Sequence, residues 1–202
     1  MKIAFEKYNP QWAIDFKIIK EELLQLIGFF NPRIEHIGST SVEGLSAKPI
    51  IDILVGVNDE TDLEKTISPL LNNNHNYIYY ECFNEIMPYR RLFTKFKINP
   101  EELSIPKIIT DRNKIPASTE EFKCRLSNIH ILPYDSEHWI RHIAFRDYLR
   151  VHPDIKNQYQ SLKEELIKQE WRDVPEYNDG KDKFIKTEEK KAIDWYKNLN
   201  KH

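Results

Sequence analysis

The chain has 202 residues, with 30 basic and 32 acidic side chains and a formal net charge of −2. This length suffices for one well-packed domain. The balanced charge gives no overall basic field and so argues against a nucleic-acid partner, although it leaves room for a local basic patch. Two cysteines, Cys82 and Cys124, are too few for a disulfide framework or a zinc site and indicate a reducing compartment. Neither a signal peptide nor an apolar run long enough to span a membrane is evident, so we expect a cytoplasmic protein without a membrane partner.

The first half of the chain alternates between helical and extended patterns. Asn9 and Pro10 favour the start of a helix that Gly28 ends, and a second helical spacing lies between Val57 and Tyr77. Alternating or continuous apolar runs predict strands at residues 34–37, 50–57, 77–83, 90–97 and 123–132.

The later connections and helices follow from proline positions and apolar spacing. Residues 98–122 hold three prolines and are predicted to form a long loop with short helical pieces. A helix capped at Ser136 is predicted to end near His152, before Pro153, and a second helix follows. Residues 171–180 are predicted to be a polar connection to a final charged helix at 183–199.

These elements predict an α+β protein organised as a single domain over residues 1–202. A mixed β-sheet flanked by helices forms the predicted sheet-containing core, residues 1–133, and a helical region follows over 134–202. Pro133 marks the boundary between the two parts, which we do not expect to fold independently.

The strongest chemical signal lies between residues 34 and 57. Gly38 permits a tight turn and a close approach to a ligand, and the hydroxyls of Ser39 and Ser41 follow it. Backbone N–H groups and hydroxyls after such a turn suit a phosphate. Asp52 is the one carboxylate within a strand that is otherwise apolar, where an ionised group needs a cation or a hydrogen-bond donor. Metal ligand and structural acid are the two interpretations of Asp52.

Five further residues are candidate contacts for an anionic ligand or for proton transfer. They are Lys48, Arg91, His130, Arg146 and Lys181. Lys48 and Lys181 are candidate point charges for a phosphate, and Arg146 can hold a phosphate or carboxylate with two parallel hydrogen bonds. His130 is a candidate general base or phosphate ligand. The structural alternatives are a solvated lysine, a core histidine and an arginine paired with a carboxylate of the protein itself.

Several of these residues fall in motifs that resemble known families. Gly38-Ser39 followed by Asp52 on a strand resembles the opening motif of the nucleotidyltransferase superfamily that includes DNA polymerase beta. The run HIGSTSVEGLSAKPIIDILVGV resembles the GrpB family more closely. The likeness continues in RRLFTK, IHI, HIAFRDYL and HP, and in Tyr177 with Lys181, so it covers most of the chain. Compared with that family, residues 98–122 look like an insertion.

The resemblance implies a nucleotidyltransferase fold and, as one hypothesis, Mg²⁺-dependent nucleotidyl transfer with Asp52 as metal ligand and His130 as a catalytic residue. The position two residues after Asp52, where the superfamily usually has a second carboxylate, is Leu54, so a second ligand would have to come from Glu81 or Glu35. The alternative is a module that binds a nucleotide, a coenzyme or another phosphorylated small molecule without catalysis.

Overall fold

A five-stranded mixed β-sheet forms the centre of the protein. The computed structural model describes residues 4–72, 74–116, 118–172 and 174–199. The strands are β1 Arg33–Ile37, β2 Ile51–Val57, β3 Tyr77–Tyr79, β4 Arg91–Phe96 and β5 Arg125–Pro133, in the order β1-β2-β5-β4-β3. β2 and β5 are parallel and the other neighbouring pairs are antiparallel.

Helices cover both faces of this sheet. The first group consists of α1 Gln11–Ile27, α2 Glu60–Lys65 and α3 Ile67–Leu71. A short α4 Thr119–Lys123 precedes β5, and the later helices are α5 Glu137–Val151, α6 Pro153–Leu166 and α7 Val174–Leu199. This arrangement confirms the predicted α+β class with a mixed sheet. No helix among the described residues has an apolar stretch that could cross a membrane.

Successive side chains of β2 point to opposite faces of the sheet. Ile51, Ile53 and Val55 pack in the main core with residues of α1, α2 and α3. Leu54 lies on the opposite face, where it packs against Trp139 of α5. Because successive side chains of a strand point to opposite faces, Asp52 shares the face of Leu54 and lies away from the main core.

Two predicted elements differ from the structure. The strand predicted at 77–83 ends at Tyr79, and Glu81–Phe83 form a 3₁₀ turn whose Cys82 N–H donates to the Ile109 carbonyl. The aromatic residues that suggested a longer strand instead fill a second core at this edge of the sheet.

The polar connection predicted at 171–180 is wrong, because α7 begins at Val174. Tyr177 is buried in this first part of the helix, packed with Leu166. A Cβ at Gly180 would lie 2.9 Å from the Leu166 side chain. Gly180 therefore allows α6 and α7 to approach each other closely and does not interrupt the helix.

An ion pair fastens α5 to the edge of the sheet. The Arg146 guanidinium, whose side chain is 9% exposed, donates to Glu35 on β1 at 2.6 Å and to the His36 carbonyl at 3.1 Å. It also pairs with Asp147 at 2.8 Å. Arg146 therefore has its hydrogen-bond partners within the protein.

We predict that Arg146→Met lowers the free energy of unfolding by about 2–4 kcal/mol, because it leaves the buried His36 carbonyl and Glu35 without this donor and removes one of the two arginines that pair with Asp147. Urea denaturation measures this loss. Arg150→Met is the matched control: this arginine also pairs with Asp147 but its side chain is 41% exposed, so its loss should stay below about 1 kcal/mol. Equal losses in the two variants would contradict this role for Arg146.

Candidate functional site

A cavity of about 730 Å³ lies on the sheet face opposite the main core. Its floor is a row of polar side chains on three neighbouring strands. In the strand register Asp52 of β2 lies beside Asn128 of β5, and Asn128 lies beside Thr94 of β4. Tyr159 of α6 and Lys181 of α7 line the cavity from the helical side. We call this space the central cavity.

The Asp52 carboxylate lies directly against the turn after β1. Gly38 has φ of +70°, and a Cβ placed on it would lie 2.5 Å from Asp52 Oδ2. The Asn128 amide donates to Asp52 Oδ1 at 2.9 Å. Burial raises the pKa of Asp52, and the hydrogen bond from Asn128 and the charges of Lys48 and Lys181 oppose that rise. The acid and the turn thus form one end of the central cavity, together with Ser39.

Three lysines line the central cavity around this end. Burial lowers the pKa of Lys48 to about 8 and the pKa values of Lys163 and Lys181 to about 7. The ammonium groups of Lys48 and Lys181 lie 5.6 and 4.4 Å from the centre of the Tyr177 ring. Aromatic faces offset part of the cost of burying a cation.

Lys163 was not identified from the sequence. Its side chain is almost fully buried, and its Nζ donates to the Ser46 carbonyl at 2.5 Å and to Ser39 Oγ at 3.4 Å. The same ammonium lies 4.6 Å from the centre of the Tyr159 ring. Lys163 therefore links α6 to the turn that carries Ser39. A lysine four residues after Tyr159, within the apolar stripe of a helix, was the available signal.

His130 lies on the cavity floor, in register with Leu54 on one side and Leu92 on the other. Arg90 Nη1 lies 3.2 Å from His130 Nδ1. Burial and the nearby Arg90 charge hold the pKa of His130 well below its usual value, so the ring is neutral. Because a guanidinium only donates, Nδ1 accepts and the ring proton is on Nε2. This geometry favours His130 as a hydrogen-bond donor over a general base.

The charge around the central cavity is strongly unbalanced. Among the described residues that line it, Asp52 is the one acidic side chain. Six lining residues carry basic side chains other than histidine: Lys48, Arg90, Arg112, Arg125, Lys163 and Lys181. Such a surface attracts anions.

These residues do not fit a magnesium site formed by the protein alone. Mg²⁺ requires several hard oxygen ligands, and Asp52 supplies one carboxylate beside an amide donor and two ammonium groups. The proposed second ligands lie elsewhere, since Glu35 pairs with Arg146 and Glu81 does not line the central cavity. In the described parts of the chain no three His, Cys, Asp or Glu side chains form a potential metal cluster.

The structure brings most of the sequence-predicted site residues together and separates three from them. Those that line the central cavity are Gly38, Ser39, Lys48, Asp52, His130 and Lys181. Ser41 lies outside it, and its hydroxyl donates to the Gly38 carbonyl at 2.7 Å. Arg146 also lies outside, held by Glu35 and Asp147.

Arg91 lies on the other face of the sheet, where its guanidinium binds Glu64 of α2 and the Pro88 carbonyl. The sequence correctly predicted that Arg91, Phe93 and Lys95 share a strand face, but Phe93 packs in the main core with α1 and α3. Arg90 lines the central cavity instead. The polar partner of Asp52 on the floor, Asn128, also went unassigned, because spacing along one strand does not show the register of its neighbour.

Comparison with known proteins places the chain in a family. The family model described as "GrpB protein" matches residues 2–191. The "Glutamate-rich protein GrpB" of Alkalihalophilus pseudofirmus is 30% identical over 184 residues, which are 91% of this chain and 92% of that protein. The "UPF0157 protein YqkA" of Bacillus subtilis is 32% identical over 199 residues, which are 98% of this chain and 50% of that protein. The chain therefore spans half the length of YqkA.

A solved structure shows the same fold. The crystal structure of conserved protein GrpB from Enterococcus faecalis superposes with a TM-score of 0.73 and 30% sequence identity, over 95% of this chain and 98% of that one. The resemblance to the GrpB family that the motifs indicated is confirmed, and the chain belongs to the GrpB protein family.

Proposed function

We propose that this protein binds a small phosphorylated ligand, a nucleotide or a coenzyme, in the central cavity. The observation that carries the proposal is the surplus of basic side chains around a single carboxylate in a cavity of about 730 Å³. That volume lies within the usual range for small-molecule sites, roughly 300–1,000 Å³.

The buried lysines support an anionic ligand in particular. Burial disfavours their charged forms, and within the protein they have few carboxylates to offset that cost. Asp52 is near Lys48 and Lys181, but its own pKa is raised by burial. A phosphate carries about two negative charges near neutral pH and would restore the protonated state of all three lysines.

The two ends of the turn suit this role. Ser39 presents its hydroxyl beside the Lys163 ammonium, and Gly38, which has no side chain, lets the turn lie directly against Asp52. Arg125 adds a guanidinium that can form two parallel hydrogen bonds to phosphate oxygens. Hydroxyl, ammonium and guanidinium groups are the donors that phosphate sites commonly combine.

Mg²⁺-dependent nucleotidyl transfer is the second candidate function. The contact between Asp52 and the Gly38 turn favours it, because the superfamily that the motif resembles places a metal-binding acid there. The lack of a second carboxylate among the described lining residues weighs against it. Any magnesium would depend on phosphate oxygens of the ligand for most of its coordination.

We predict that Lys48→Met and Lys181→Met each weaken ATP binding about tenfold, which is about 1.4 kcal/mol, because each removes a charge from the phosphate end. Isothermal titration calorimetry with ATP measures the change. Lys65→Met serves as the matched control, since Lys65 on α2 is 58% exposed and pairs with Asp62 away from the central cavity. Equal affinity in all three variants would contradict the proposal.

We predict that ATP affinity falls as the pH rises from about 7 to about 9. Lys163 and Lys181, with pKa values of about 7, and Lys48, with a pKa of about 8, lose protons over this interval in the free protein. The bound phosphates favour the protonated lysines, so binding takes up protons and weakens as protons become scarcer. Phosphate itself is already ionised above its second pKa of about 6. Titrations in buffers of different ionisation enthalpy measure the uptake, and an affinity that does not change with pH would exclude this lysine role.

We predict that Asp52→Asn binds ATP without Mg²⁺ at least as tightly as the unmodified protein, because the change removes a negative charge next to the phosphates. The same variant separates the two candidate functions. Incubation with α-labelled ATP, Mg²⁺ or Mn²⁺ and a metabolite extract measures transfer of the label. Label transfer that disappears in Asp52→Asn would establish the second candidate, and weaker binding without metal would contradict the prediction.

A further inference from the structure

Residues 98–116 include four that line the central cavity, namely Arg112, Asn113, Ile115 and Pro116. Backbone hydrogen bonds attach this segment to the β3 edge of the sheet: Tyr79 N–H donates to the Lys107 carbonyl and Ile109 N–H donates to the Tyr79 carbonyl, both at 2.8 Å. Ile105 and Ile109 are buried in the core cluster of this edge. The segment is thus a fixed wall, which we call the 98–116 wall.

The cavity-facing side of this wall has its own chemistry. Arg112, Asn113 and Ile115 line the central cavity there, beside Phe83. The Arg112 guanidinium lies 5.9 Å from the centre of the Phe83 ring, and its Nε donates to the Cys82 carbonyl at 3.3 Å. An aromatic ring, a guanidinium plane, an aliphatic side chain and one amide are the groups that proteins use to stack and read a base.

The distance between the Gly38 turn and the cavity-lining part of the 98–116 wall limits which ligands can contact both. From Asp52 on β2 the sheet continues through β5 and β4 to β3, and three strand spacings of about 4.8 Å give about 14 Å. The 98–116 wall is bridged to β3 through Tyr79 and Ile108, and it returns along the cavity to Pro116, whose carbonyl accepts a hydrogen bond from Arg125 of β5. Arg112 is attached beside β3 through the Cys82 carbonyl, so an isolated phosphate at the Gly38 turn does not reach Arg112 and Phe83, whereas a ligand with a phosphate chain, a sugar and a base is long enough to do so.

We infer that the ligand is a nucleotide that lies across the sheet, with its phosphates at the Gly38 end and its base against Phe83 and the 98–116 wall, where Arg112 and Ile115 determine base selectivity. This inference rests on the proposed function, because it assumes the phosphate end. It narrows the ligand to a nucleotide and adds the orientation of that nucleotide and two specificity-determining residues.

Arg112→Ala tests the wall with little risk to the fold, since Arg112 is exposed and lies in a three-residue 3₁₀ turn. Lys114→Ala is the matched control: Lys114 is an exposed basic residue of the same turn that does not line the central cavity. The probes are ATP, GTP, CTP, UTP and inorganic tripolyphosphate, titrated by calorimetry. A second variant, Ile115→Trp, fills the wall end of the cavity without changing charge.

The expected result is that the protein binds at least one nucleoside triphosphate about tenfold or more tightly than tripolyphosphate, because stacking adds to the phosphate contacts. Arg112→Ala and Ile115→Trp then weaken nucleotide binding or change the order of affinity among the four nucleotides, and leave tripolyphosphate affinity unchanged. Lys114→Ala changes neither. Lys48→Met weakens nucleotide and tripolyphosphate alike.

Two results would overturn the inference while the proposed function stands: equal affinity for tripolyphosphate and every nucleotide, or nucleotide affinities that neither wall variant alters. Parallel weakening of nucleotide and tripolyphosphate by Arg112→Ala would also overturn it, since the arginine would then act on the phosphates. Absence of binding by all five probes would instead reject the proposed function and the inference with it.

Discussion

The Asp52 carboxylate and the backbone of Gly38 lie so close together that a side chain at position 38 would overlap the acid. This contact fixes the turn after β1 against the middle of the sheet, and it brings Ser39 and Asp52 to the same end of the central cavity. Asn128 holds the acid from the neighbouring strand. Lys48, Lys163 and Lys181 lie around this contact, so the position of the proposed phosphate depends on it.

The basic residues themselves come from distant parts of the chain. Lys48 precedes β2, Arg125 begins β5, Lys163 belongs to α6 and Lys181 belongs to α7. Each is stabilised by different neighbours, with aromatic rings beside the lysines and the Pro116 carbonyl beside Arg125. The protein thus keeps several cations near one another that would otherwise repel, which is the arrangement expected when a multiply charged anion is the partner.

Much of the fold was predictable because strands and helices have different apolar periods. The strand positions of β1, β2, β4 and β5 and the helices α1, α5 and α6 follow from that pattern. The site was predictable only in part. Gly38 and Asp52 are recognisable by their own chemistry, whereas Arg91 could be assigned to a strand face but not to the face that carries the cavity.

The remaining differences concern contacts between distant segments. Lys163 depends on a carbonyl 117 residues earlier in the chain, at Ser46, and nothing near Lys163 in the sequence reveals that partner. Gly180 resembles a helix break until Leu166 of the adjacent helix is seen beside it. Apolar periodicity describes one helix or strand at a time, whereas the roles of Lys163 and Gly180 depend on how two elements pack together.

The central position of β5 has a consequence for how the protein reaches this structure. β1 with β2, and β3 with β4, are antiparallel pairs of consecutive strands that can form early from local contacts. β5 comes last in the chain and joins the two pairs, placing Asn128 between Asp52 and Thr94. Because that step requires the longest loop closure in the sheet, we expect the cavity floor to form after the two antiparallel pairs.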